Sequence, residues 1–266
     1  MPGTRRRARR SGRAPAADFL APDICIPRFE EACQRWSRNG NPLFIPETSA
    51  NAANAFLAFV KYGAFGFSPF GIERNVGPTT PLVGAYRLLA DMAPVILAHQ
   101  GKNTMTLVRM SEDDPPQKVS LGNYTLELTY LGARRAPIAP TPPARAGQTA
   151  GGPGRGDAPP APAAQAPAVG RGTVGGGGQP STEVLAVFIA NGPDEYFMGG
   201  TNGLRIAFTP NTPGPPIVGQ VDVQVGRFVD GKWTVVRQLG GDDTAQGEIL
   251  SLRPNTVQRV TVYRYR

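Results

Sequence analysis

Apolar positions over the first hundred residues fall into two kinds of run. Phe29, Cys33 and Trp36 recur at helical spacing within Arg28–Arg38, just after Pro27, and Asn39-Gly40-Asn41 supplies a stop. Pro42–Pro46 is then uniformly apolar, the pattern of a strand covered on both faces. Ser49 or Asn51 can cap a following helix with an apolar stripe of Phe56, Phe59 and Val60, closed by Tyr62-Gly63. A second apolar run, Ala64–Phe70, comes next. Strand, helix and strand predict one βαβ unit with parallel strands. A third helix is expected from Thr80 to Met92, presenting Leu82, Tyr86 and Leu89 and ending before Pro94.

Beyond residue 100 the pattern changes to alternation, the signature of half-buried strands. Thr104–Met110, Tyr124–Tyr130, Glu183–Ala190, Leu204–Thr209, Val218–Val229, Lys232–Arg237 and Arg259–Arg266 read as strands, and Asp230-Gly231 as the turn of a hairpin. Short strands separated by turn signals predict an antiparallel β-sandwich, with Thr104–Tyr130 part of it. The intervening Ala133–Pro180 is Ala-, Pro- and Gly-rich and has too little apolar surface to offset chain entropy. Its Gly175–Gly178 run lacks the preceding strand and following Lys-Ser/Thr of a phosphate cradle, so it reads as linker. The expected fold class is α+β. Its parts are a disordered basic arm at 1–17, an α/β part at 18–100, a sandwich at 101–132 plus 182–266, and a disordered linker at 133–181.

Composition and charge refine this picture. The chain has 266 residues, with 33 glycines and 28 prolines that are enriched in the linker. A net charge of +8 invites a nucleic-acid reading. The excess resides in Arg5, Arg6, Arg7, Arg9, Arg10 and Arg13 of the arm, and in Arg134, Arg135, Arg145, Arg155 and Arg171 of the linker. The remainder is slightly acidic, so no specific nucleic-acid partner is expected. No apolar run reaches the length of a membrane span and no signal-peptide core follows the arm, so no membrane partner is expected either. Cys25 and Cys33 lack metal-site spacing and have the default of buried or half-buried thiols. His99, the one histidine, has no G-x-S-x-G elbow to partner it and reads as structural. No cofactor or metal is implied.

The chemistry concentrates at the two strand ends. Glu47 follows the first apolar run, the position at which parallel α/β barrels carry their active sites. On the residues alone, Glu47 is equally a nucleophile or a carboxylate favoured at the start of the next helix. Ala21-Pro22-Asp23-Ile24, the run from Gly40 to Thr48 containing Asn-Pro-Leu-Phe-Ile-Pro-Glu, and Gly63–Glu73 resemble the C-terminal barrel portion of bacterial β-galactosidase-like glycoside hydrolases, in the clan of retaining (β/α)8 enzymes. Gly192–Tyr196 and Gly226–Trp233 resemble the sandwich that trails the barrel in a bacterial subgroup.

This resemblance implies that 18–100 is a barrel remnant made of the last two β/α units. It also implies that Glu47 is the nucleophile and that the partner is a carbohydrate, a β-galactoside or a plant-polysaccharide oligosaccharide. Ser68 and Glu73 would bond hydroxyls, Phe70 would stack on the sugar face, and Asp23 would face the site; Phe67 is more readily explained as core. Retaining hydrolysis needs two carboxyl groups about 5 Å apart, one of them an acid/base. The strand that carries the acid/base in the clan has no counterpart here. The chain therefore reads as a fragment inactive alone, with Met1–Arg13 the product of a late start codon and the missing barrel portion as a partner. The alternative is a non-catalytic carbohydrate-binding or interdomain sandwich.

Overall fold

The structure is a computed structural model that describes residues 18–74, 77, 78, 80–131, 183–241, 243, 244 and 250–266. The arm at 1–17 and the linker at 133–181 fall outside the described residues. Helix α1, Phe29–Trp36, buries Phe29, Ala32 and Cys33, with Glu30 and Glu31 in its first turn and Arg35 in its last, as the helix dipole favours. Strand β1, Phe44–Thr48, pairs in parallel with β2, Gly66–Pro69, and Ile24 adds a parallel bridge to β1 at Thr48. The helix between them, α2, starts as Ala52–Phe56 and widens into a π-helical turn, Leu57–Lys61. Asn51 caps it, its Oδ1 accepting from the Ala53 and Asn54 amides at 2.8 and 3.3 Å.

Helix α3 runs from Pro81 to His99 and continues through Pro94, past its expected end. Pro94 cannot donate to the Ala90 carbonyl, at a cost of about 3 kcal/mol. Val95 and Ile96 beyond it are buried and extend the stripe of Leu82, Ala85, Leu88, Leu89 and Met92. Burial of each contributes about 1.5–3 kcal/mol, which outweighs the lost bond. The lengthened helix is also long and apolar enough to cross a membrane, a test no segment was expected to pass. Its apolar stripe here covers a β-sheet.

That sheet is the larger half of a β-sandwich. Its six strands lie in the order β10-β9-β12-β7-β6-β3, and the smaller sheet in the order β11-β8-β5-β4. The strands are β3 Met105–Met110, β4 Gln117–Leu121, β5 Tyr124–Tyr130, β6 Val184–Ala190, β7 Glu195–Gly200, β8 Leu204–Pro210, β9 Ile217–Val229, β10 Lys232–Leu239, β11 Leu250–Leu252 and β12 Thr256–Tyr265. Every pair in both sheets is antiparallel. Asp230 and Gly231 both have positive φ, 50° and 74°, as a type I′ hairpin turn between β9 and β10 requires. The fold is α+β.

Two cores meet at β6, whose seven residues are all buried. Leu185, Val187 and Ile189 face the helices and the parallel pair. Val184, Ala186, Phe188 and Ala190 face the interior of the sandwich with Leu126, Tyr196 and Leu252. The uniform apolarity of β6 is thus two alternating sets, one per face. Strands β4, β7 and β11 were not expected. Gly199-Gly200 at the end of β7 is closely packed on both faces. A Cβ on Gly199 would lie 2.6 Å from Met92 Sδ and 3.0 Å from Leu88 Cδ1, and one on Gly200 would lie 3.0 Å from Leu252 Cδ2. These glycines let α3 dock on one face and β11 on the other.

Residues on either side of the linker share one anchor, the turn Thr201-Asn202-Gly203. The Leu131 amide donates to the Gly203 carbonyl at 3.1 Å, and Asn202 Nδ2 donates to the Glu183 carbonyl at 2.8 Å.

Candidate functional site

The parallel ladder continues one pair beyond the expected end of β1. Pro46 has no amide to donate, and a register shift between Ile45 and Thr48 accommodates it. The ladder resumes with the Ile24 amide donating to the Glu47 carbonyl at 2.8 Å and the Phe70 amide donating to the Thr48 carbonyl at 2.7 Å. Thr48, fully buried, also donates its hydroxyl to the Ile24 carbonyl at 2.7 Å. Glu47 therefore lies within the last two residues of β1 rather than just past it.

Three aligned segments thus carry the predicted residues at their C-terminal ends: Asp23 beside Ile24, Glu47 on β1, and Ser68 with Phe70 on and just after β2. The side chains of all four are exposed. Phe70 is 71% exposed, a large ring presented to solvent. Phe67 on the same strand is buried against Phe29, Phe59 and Tyr86, and its carbonyl accepts from the Tyr86 hydroxyl at 2.7 Å. Glu73 sits in the 3-10 turn Ile72–Arg74 and faces Arg74 at 3.6 Å, both side chains mostly exposed. Such a pair contributes little to stability. The capping role open to Glu47 from the sequence is filled by Asn51.

Away from the strand ends, His99 and Cys33 are structural. His99 engages Thr104 Oγ1 through Nδ1 at 2.7 Å and Asn191 Oδ1 through Nε2 at 3.0 Å. Cys33 is fully buried, and burial pushes its thiol up to about 12. Cys25 is exposed, contrary to its default, because it follows the single bridging residue Ile24 where the chain turns away from the sheet. Among the described residues no group of three or more His, Cys, Asp or Glu side chains is placed to hold a metal.

The sequence reading missed a cleft of about 410 Å³ beside these strand ends. One wall comes from the segment after β1, including Asn51, and from Thr80 and Gly84 at the start of α3; the opposite wall carries Glu183, Asn202 and Asn255 of the sandwich. Five distant stretches build it, so no local motif announces it. Arg109 forks onto Glu183 Oε1 through Nε at 2.9 Å and Nη2 at 2.7 Å and so orients the carboxylate. Asn255 has a positive φ of 52°, held by its amide donating to the Gly200 carbonyl at 2.7 Å.

Fold and site together define an α+β protein in which an antiparallel sandwich supports a small parallel sheet with an exposed carboxylate. The family model for a domain of unknown function, DUF5597, matches residues 82–251, and the chain belongs to that family. The match begins in α3, so Asp23, Glu47, Ser68, Phe70 and Glu73 lie outside the matched stretch. No curated protein matches the chain.

Proposed function

We propose that the chain is the C-terminal portion of a retaining, β-galactosidase-like glycoside hydrolase, with Glu47 as its nucleophile. The observation that carries this reading is the exposed Glu47 at the C-terminal end of a parallel strand, flanked by Ser68 and Phe70 of the neighbouring strand. A carboxylate there can attack an anomeric carbon, expel the aglycone and hold the sugar as a covalent ester, which water later hydrolyses. Phe70 offers a ring to the apolar sugar face, and Ser68, Glu73 and Asp23 offer partners to hydroxyls. The acid/base that protonates the leaving group would come from barrel strands beyond the parallel pair. Phe19, Phe65 and Ile72, all exposed around that pair, give those strands an apolar surface to cover.

An activated 2-fluoro-galactoside tests the nucleophile directly. Its leaving group departs without a proton, so labelling does not need the acid/base. The expected result is a covalent label on the peptide containing Glu47, absent in Glu47→Gln. Aryl galactosides whose leaving group must be protonated should turn over slowly or not at all by this chain alone, and faster when the remaining barrel segments are present. A label on another carboxylate, or none under conditions that label a complete retaining galactosidase, would overturn the assignment.

A further inference from the structure

We propose that the cleft between the start of α3 and the sandwich turns binds a neutral, hydroxyl-rich ligand, a sugar residue, through Glu183, Asn202 and Asn255. At about 410 Å³ it lies in the size range of small-molecule sites. Its polar lining mixes an acceptor-only carboxylate with amides and the hydroxyls of Thr80 and Thr201, which both donate and accept. That mixture suits hydroxyls, each of which donates and accepts at once. Among the described residues no lysine, arginine or aromatic ring lines the cleft. The carboxylate therefore disfavours an anion, and nothing is placed to stack on a nucleobase. Ala52, Ala53, Pro81 and Leu185 supply an apolar floor for the C–H face of a pyranose.

Two features show that the wall is held in place. The Arg109 fork fixes the direction of the Glu183 carboxylate. Asn255 keeps a left-handed backbone that glycine would adopt more easily, and non-glycine strain of this kind gathers at ligand sites. Gly84 faces Asn255 across the cleft: a Cβ there would lie 3.4 Å from Asn255 Oδ1, at contact distance. The inference does not rest on Glu47 acting as a nucleophile, since binding in the cleft requires no chemistry at the strand ends.

The test is a titration of the whole chain with galactose, glucose and xylose, followed by calorimetry or NMR shifts, with inorganic phosphate as the charged control. We expect saturable binding of at least one sugar, with Kd on the order of 1 mM, and no response to phosphate. Asn255→Gly relieves the backbone and removes the amide, so it should weaken binding about tenfold without lowering Tm. Gly84→Leu extends a side chain into the cleft from a helical position that tolerates leucine, and should abolish binding. Glu47→Gln should leave it unchanged. Absence of binding by all three sugars, full binding by both cleft variants, or tighter binding of phosphate would overturn the proposal. Loss of binding in Glu47→Gln alone would also overturn it and move the sugar to the strand ends, whereas failed labelling of Glu47 with cleft binding intact would reject only the hydrolase reading.

Discussion

Docking of α3 on Gly199 joins the parallel pair to the sandwich, and one methyl group tests it. Gly199→Ala would place its Cβ 2.6 Å from Met92 Sδ, 3.0 Å from Leu88 Cδ1 and 3.4 Å from the Thr256 carbonyl. Met92 and Leu88 are 0% and 2% exposed, so neither can swing into solvent. Overpacking of this kind costs about 1–3 kcal/mol. Replacing glycine in a strand returns about 0.5–1 kcal/mol of backbone entropy. The expected net loss is about 1–2 kcal/mol, a Tm lower by roughly 2–8 °C for a domain of this size. Met92→Ala alone should cost about 2–5 kcal/mol as a core truncation. The double variant should be more stable than the sum of the two by about 1 kcal/mol, because the alanine at 92 vacates the volume that the new methyl needs. Urea unfolding followed by circular dichroism reads all four proteins. An unchanged Gly199→Ala, or strict additivity in the double variant, would show that the helix does not rest on this glycine.

Three further predictions use the same chemistry elsewhere. Iodoacetamide at pH 8 should label Cys25 in the folded protein and spare Cys33, whose thiol is buried and pushed up to about 12; in denaturant both should react, as peptide mass spectrometry would show. Asn51→Ala removes the α2 cap and should lower stability by about 1 kcal/mol in thermal unfolding, with Asn51→Asp retaining most of it. Burial raises the phenols of Tyr124, to about 12, and Tyr196; the Tyr124 hydroxyl donates to Asp194 Oδ1 at 2.6 Å and that of Tyr196 to the Leu121 carbonyl at 2.8 Å. Their contribution to stability is fully present below the ordinary tyrosine value of about 10 and is lost as pH rises through the folded values. Alkaline unfolding monitored by phenolate absorbance should therefore be shallower in Tyr124→Phe, while Tyr196→Phe should also cost about 1–3 kcal/mol at neutral pH by leaving the Leu121 carbonyl unsatisfied.

Periodicity was most informative where a segment packs by its own pattern. The alternation in Tyr124–Tyr130 and the Asp230-Gly231 turn both appear in the structure where the sequence implies them. The reading failed where a distant partner overrides local preference. Pro94 signals a helix end, yet Val95 and Ile96 are buried beyond it and carry the helix on. Leu250–Leu252 is too short to show a period and forms a strand through its pairing with β8. Glu47 could be singled out because its motif is contiguous. The cleft could not, because Asn51, Thr80, Glu183 and Asn255 meet only after the chain has folded.

The shared anchor at Thr201-Asn202-Gly203 makes the junction between Leu131 and Glu183 a port. Both sides of it are tied to the same turn by hydrogen bonds that do not depend on what joins them. Closure entropy changes by only about 0.6 kcal/mol for each doubling of the connecting length. Shortening residues 133–181 to a Gly-Ser spacer, or replacing them with a whole reporter domain whose ends lie close together, should leave the melting temperature of the sandwich nearly unchanged. Because Glu183 stands at this port and in the cleft wall, a fluorescent cargo inserted there would sit beside the ligand and report its arrival.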